Sequence, residues 1–250
     1  MTLSEQFDYE DAEFPVREGL RLVHNETWNL TANAGNWWTG EQRVAIVAET
    51  RNALTCQLCE DRKNALSPYS VVGEHTHLGE LPETVVEIIH RIRTDPSRLT
   101  EQWHKSILEQ GITDAEYVEI VGVLIRSVAV DTFARAIGVP ERPLPDPIAG
   151  EPSGYRPKGA KLGLAWVPTL APEDANEEEK KMYPGGWKAP NIRRAMSLVP
   201  SEAIGFFDIT DHQYLPTETM WKFSEKVRAI SHVQIELVAS RISILNGCFY

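Results

Sequence analysis

Ten of the sixteen prolines of this chain lie between Val139 and Pro190, together with six glycines. Proline cannot donate a backbone hydrogen bond and clashes with the preceding helical turn, so no helix or strand of useful length survives that spacing. Regular structure is therefore confined to the two flanks, and 139–190 reads as an extended connector. It also carries the acidic run Glu173-Asp174-Ala175-Asn176-Glu177-Glu178-Glu179. A free linker has little use for apolar side chains, so Leu162, Leu164, Trp166, Val167 and Trp187 are expected to dock the connector on a surface.

The flanks read as helices. From Gln42 to Leu66 the residues Val44, Val47, Ala48, Leu54 and Leu58 fall mostly at helical intervals, with a break expected at Thr55-Cys56 and a stop at Pro68. Leu81-Pro82-Glu83-Thr84 opens a helix whose stripe is Val85, Val86, Ile88, Ile89 and Ile92 and which Asp95-Pro96 ends. Thr100 caps Glu101 to Gln110, and Thr113-Asp114-Ala115-Glu116 has the form of a capping box for a helix reaching Gly138. Beyond the connector, Thr217 to Ala229 and Ser231 to Asn246 read as helices, the second opened by the box Ser231-His232-Val233-Gln234. Strand signals are absent, so the expected fold class is all-α.

Composition limits the partners. A net charge of -11, with basic residues interspersed among acidic ones, argues against nucleic acid and against an anionic membrane surface. The first residues form neither a basic start nor an apolar run of signal-peptide length, and no later segment is apolar over a membrane-spanning length. The expected location is cytoplasmic. Three cysteines, two of them in Cys56-Gln57-Leu58-Cys59, do not make a secreted disulfide framework. In a reducing compartment C-x-x-C signals redox chemistry or metal.

A cysteine attacks as its thiolate, and a helix N-terminus favours that form through unpaired N–H groups and the dipole. Thr55 precedes Cys56 as a candidate cap, and Arg62 and Lys63 follow one turn beyond the motif as cations that favour a thiolate. The pair is thus expected to cycle between dithiol and disulfide, one sulfur attacking an oxidant such as a peroxide and the other resolving the sulfenic acid. Zinc held by Cys56, Cys59, His75 and His77 is a competing reading, as are two inert core thiols. A thioredoxin-like fold would need strands near the motif, and none is found.

The cysteine-bearing helix occurs twice. Val44 to Thr55 runs into Cys56-Gln57-Leu58-Cys59, and Glu236 to Gly247 runs into Cys248-Phe249-Tyr250. With eleven residues between Glu236 and Cys248, the second copy resembles the first half of the signature of the alkylhydroperoxidase D-like (carboxymuconolactone decarboxylase) superfamily: Glu, eleven residues, C-x-x-C, three residues, His. The resemblance implies tight oligomers of small helical domains. It implies that the second cysteine of each motif attacks peroxide, that the first resolves, and that Glu and His relay the proton. The first copy departs from the signature: Val44 stands at the Glu position and Lys63 at the His position. Glu49 and Glu60 are the nearest substitutes, and both read as surface glutamates of a helix.

On this resemblance the chain is an alkylhydroperoxidase D-like helical bundle in tandem: a first domain over 1–138, the docked connector over 139–190, and a partial second domain over 191–250. Three explanations fit a motif that stops at Tyr250: a shortened chain, a degenerate product, or a selenocysteine codon at position 251. The implied activity is thiol-dependent reduction of hydroperoxides, with Cys59 attacking, Cys56 resolving, and Glu236 and Cys248 serving the second motif. The chemistry needs a hydroperoxide and a dithiol reductant, and no metal or organic cofactor. The alternatives are a non-catalytic oligomerisation scaffold, the zinc module, and lactone chemistry, which does not use C-x-x-C. Trp37, Trp38, Trp103 and Trp221 read as core or interface anchors. No catalytic role is expected for His24, His90, His104, His212 or His232, and His90, four residues after Val86, reads as the edge of a packed face.

Overall fold

The computed structural model describes residues 7–184 and 191–248. It is all-helical: the described residues form nine α-helices joined by short 3-10 turns and loops, and no sheet beyond an isolated antiparallel bridge between Lys161 and Thr169. In chain order the helices are α1 (Glu18–Ala32), α2 (Gly40–Asn52), α3 (Gln57–Asn64), α4 (Glu83–Thr94), α5 (Glu101–Glu109), α6 (Asp114–Ala136), α7 (Asn191–Arg194), α8 (Pro200–Gln213) and α9 (His232–Leu245).

The starts follow local chemistry. Thr39 and Gln42 form a capping box at α2, Thr113 and Glu116 form one at α6, and Ser231 and Gln234 form one at α9. The Thr100 hydroxyl accepts from the Trp103 N–H to open α5. Each such cap stabilises its helix by about 1 kcal/mol. At the break expected before the cysteines, α2 gives way to a 3-10 turn over Ala53–Thr55, and α3 begins afresh.

The long helix α6 is the centre of the bundle and packs on α1, α2, α4 and α8. Ile46 and Val47 of α2, Val85, Ile88 and Ile89 of α4, Ile107 of α5, and Ile120 and Val123 of α6 meet in the main core. Each such side chain contributes about 1.5–3 kcal/mol when fully buried. Trp38 and Trp103 also belong to this core, whereas Trp221 is largely exposed.

A second feature ties three helices through charge. Arg43 of α2 pairs with Glu119 of α6 and, at 2.8 Å, with Glu202 of α8. Glu202 also accepts from Arg126 of α6 at 2.7 and 3.0 Å. All four groups are buried. Two guanidinium and two carboxylate groups balance, which is the condition under which buried charge is tolerated. Gly122 lets α8 come this close, because a Cβ there would lie 2.5 Å from the Glu202 Cβ. Thus α8, which follows Asn191 in sequence, packs directly on α1 and α6.

Two sequence expectations need correction here. Thr217 to Ala229 is not a helix: after a 3-10 turn at Thr217–Thr219 the chain runs through irregular turns. Local bonds hold it that way. Asp211 Oδ1 accepts from both the N–H and the hydroxyl of Thr217, and the Arg228 guanidinium donates to the carbonyls of Asp211 and Tyr214 at the end of α8. The segment therefore folds back to satisfy the free carbonyls of the preceding helix. The helix in this region is α8, with Pro200 in its first turn.

Of the connector residues expected to dock, Val167 is buried, and Leu170, Met182 and Tyr183 join it against Ala115, Val118 and Ala203. Leu162, Leu164 and Trp166 are exposed, and Trp187 lies outside the described residues. Arg156 adds a two-pronged ion pair to Asp114 at the start of α6. At the other end of the chain α9 buries only His232, leaving Leu237, Val238, Ile242, Ile244 and Leu245 exposed.

Candidate functional site

Cys56 is the N-cap residue of α3, in extended conformation, and its carbonyl accepts the Glu60 N–H as the first bond of the helix. Cys59 sits in the first turn of α3. The C-x-x-C thus lies at a helix N-terminus, where unpaired N–H groups collect. Thr55 does not cap it: its hydroxyl donates back to the Asn52 carbonyl within the 3-10 turn.

Both thiols are buried, and two imidazoles close on them. His75 Nδ1 lies 3.5 Å from Cys56 Sγ and 3.6 Å from Cys59 Sγ. His90 Nδ1 lies 3.2 Å from Cys59 Sγ. The four ligand atoms all lie within 4.8 Å of one another. His77 is elsewhere: it is exposed, and its Nδ1 accepts the Gly79 N–H.

Each imidazole is held from behind by a carboxylate. His90 Nε2 lies 2.8 Å from Glu49 Oε1, and His75 Nε2 lies 2.8 Å from Glu87 Oε2. Since an ionised carboxylate only accepts, each Nε2 carries the proton and donates it, and Nδ1 faces sulfur. Glu87 and His90 share a face of α4, three residues apart. Glu87 also accepts from Arg62 at 2.8 Å and from the Trp103 indole N–H at 3.1 Å. Glu49, in the last turn of α2, accepts from the Asn52 side chain and the Leu78 N–H as well. Asn52 in turn donates to the Thr76 carbonyl. These bonds pin the loop carrying His75 to the end of α2.

Glu49 is therefore not the surface glutamate expected of it. It is 1 % exposed, because position 49 lies three residues after Ile46 on the buried side of α2. His90 is likewise fully buried, on the apolar face it shares with Val86, and it touches Cys59 rather than edging the core. Lys63 and Glu60 are exposed, as helix-surface residues should be.

The electrostatics follow from the same contacts. Burial works against a Cys56 thiolate, but the N–H groups of Cys59 and Thr76 and the His75 ring outweigh it and bring the thiol below its ordinary pKa. Burial also opposes a charged His75, yet the two sulfurs and Glu87 raise its pKa to about 10. Burial depresses the His90 pKa, and the nearby His75 adds to this, which favours the neutral ring whose Nδ1 faces Cys59 Sγ. Despite burial, Glu87 is drawn down to about 2 by His75, Arg62 and Trp103, and Glu49 is lowered by His90, Leu78 and Asn52. A cleft of about 330 Å³ reaches this cluster from outside, with His75 and Glu87 in its lining.

The second motif has a different arrangement. Glu236 of α9 accepts from the Tyr214 hydroxyl and lies 3.3 Å from His232 Nε2. Cys248 is exposed beyond the C-terminal end of α9. Among the described residues no hydrogen bond joins its thiol to Glu236.

Comparison of the chain with protein-family models, with curated proteins and with solved structures finds no match. Its chemistry is therefore read from the site.

Proposed function

We propose that the protein is a thiol-dependent hydroperoxide reductase that works through the Cys56–Cys59 pair. The observation that carries this reading is the chain of contacts from Cys59 Sγ to His90 Nδ1 and from His90 Nε2 to Glu49. A thiol, a base and a carboxylate that orients the base are the parts a cysteine nucleophile needs. They stand in for the Glu and His that the family signature has at the positions of Val44 and Lys63.

In the first step His90 Nδ1 takes the Cys59 thiol proton, and the thiolate attacks the nearer peroxide oxygen. The O–O bond breaks, Cys59 becomes a sulfenic acid, and the leaving alkoxide takes the proton from His90. Glu49 keeps the ring oriented and balances the transient imidazolium. In the second step Cys56 attacks the sulfenic sulfur, the S–S bond forms, and water leaves. A dithiol reductant then supplies two electrons and two protons to restore both thiols. Such a cycle belongs in a reducing compartment, in keeping with a cytoplasmic location. Among the described residues no helix is long and apolar enough to cross a membrane.

The resemblance to the alkylhydroperoxidase D-like superfamily supports the same order of attack, and it implies a homo-oligomer. To test the order, a sulfenic-acid trap is applied to the Cys56→Ser and Cys59→Ser variants after a hydroperoxide pulse. The reading requires the adduct on Cys59 in the first variant and no adduct on Cys56 in the second. An adduct on Cys56 alone would reverse the roles.

A further inference from the structure

We infer that Cys56, Cys59, His75 and His90 form a tetrahedral binding site for Zn²⁺, with Glu49 and Glu87 as the carboxylates that hold its two imidazoles. The four come from three places in the fold: the start of α3, the loop before α4, and the middle of α4.

Three observations carry the inference independently of the peroxidase reading. The first is geometric. Zn–S bonds of about 2.3 Å and Zn–N bonds of about 2.0–2.1 Å, set at tetrahedral angles, separate ligand atoms by roughly 3.4–3.8 Å. The sulfur-to-nitrogen separations of 3.5, 3.6 and 3.2 Å lie at or close to that range. The second concerns orientation. Both imidazoles aim Nδ1 at the sulfurs and give Nε2–H to a carboxylate, the outer-shell pattern that fixes the tautomer of a metal-bound histidine. The third is charge. Two thiolates neutralise a divalent cation, so the buried centre carries no net charge, while thiolate and imidazole donors select zinc over magnesium or calcium. Binding requires lone pairs at all four atoms, so metal displaces their protons into solvent.

The set differs from the C-x-x-C/H-x-H arrangement in the sequence by one residue. His90 replaces His77, which faces away. Metal and disulfide use the same two sulfurs and therefore exclude each other.

The test uses the full chain, reduced with a phosphine and stripped with a chelator, then titrated with Co²⁺ and afterwards Zn²⁺. The expected result is the intense visible absorption of tetrahedral Co²⁺ with a thiolate charge-transfer band, saturating at one ion per chain and erased by Zn²⁺. His77→Ala should retain it, His90→Ala should lose it, and Glu49→Gln should weaken the affinity by about 10–100-fold. An alkylation assay on the unsubstituted chain needs no variant to fold: Zn²⁺ should shield Cys56 and Cys59 while exposed Cys248 stays reactive. Equal alkylation of all three thiols with and without Zn²⁺, or a titration without the charge-transfer band, overturns the inference. A chain that binds metal but forms no disulfide with peroxide overturns only the peroxidase reading. One that forms the disulfide but binds no metal overturns only this one.

Discussion

His90 Nε2 lies 2.8 Å from Glu49 Oε1, joining the middle of α4 to the last turn of α2 across 41 positions of sequence. Both groups are buried, so the bond is shielded from water and fixes which ring nitrogen faces Cys59. The orientation of the ring therefore depends on a carboxylate that never touches the sulfur. Glu49→Gln is expected to slow peroxide-dependent loss of thiol in metal-free protein by about 10-fold, and His90→Ala by about 10²-fold or more. Stopped-flow thiol titration measures both; unchanged rates in either variant would remove the relay.

Glu202 is the shared acceptor of Arg43 and Arg126, and removing it leaves the buried Arg126 guanidinium without its carboxylate and Arg43 with Glu119 alone. Glu202→Ala should cost about 3–5 kcal/mol and lower the thermal midpoint by roughly 10 °C, followed by circular dichroism. A loss under 1 kcal/mol would mean that the charges are not desolvated as described.

Gly122→Ala should destabilise by about 1–3 kcal/mol, since the new Cβ meets Glu202 in a fully packed contact between α6 and α8. Denaturant unfolding reads this directly. A neutral or stabilising result would show that α8 can shift without loss.

The sequence is most legible where helices begin with strong local signals. The capping boxes at Thr113 and Ser231, the Pro82 start and the break before Cys56 were all readable, because each is decided within about four residues. The segment 217–229 was not readable, because its helical periodicity competes with bonds from Thr217 and Arg228 to the end of α8. The cysteines of the site were legible through their spacing. The roles of His90 and Glu49 are not legible locally, because a histidine among isoleucines reads as core edge and a glutamate on a helix reads as surface until α2 packs on α4 and brings them together.

His24, buried in α1, has a pKa lowered to about 4, chiefly by burial and secondarily by the nearby His212. Gln213 Nε2 donates to its Nε2, and Nδ1 meets the Tyr9 hydroxyl at 2.8 Å. The folded chain thus holds this ring neutral while the unfolded chain protonates it near pH 6.5. Its contribution is complete above pH 6.5 and is lost as pH falls from there toward 4, by up to about 3 kcal/mol. Comparing unfolding of the natural chain and His24→Gln across that range should show a flatter acid limb for the variant. Parallel limbs would contradict the assignment.

Mapping of thiols by mass spectrometry after exposure of reduced, metal-free protein to one equivalent of hydroperoxide tests the central claim most directly. The predicted product is a single peptide closed by a Cys56–Cys59 disulfide, two hydrogens lighter than the reduced form, with Cys248 still a free thiol. Persistence of both Cys56 and Cys59 as free thiols, while the peroxide is stable or consumed elsewhere, would contradict it.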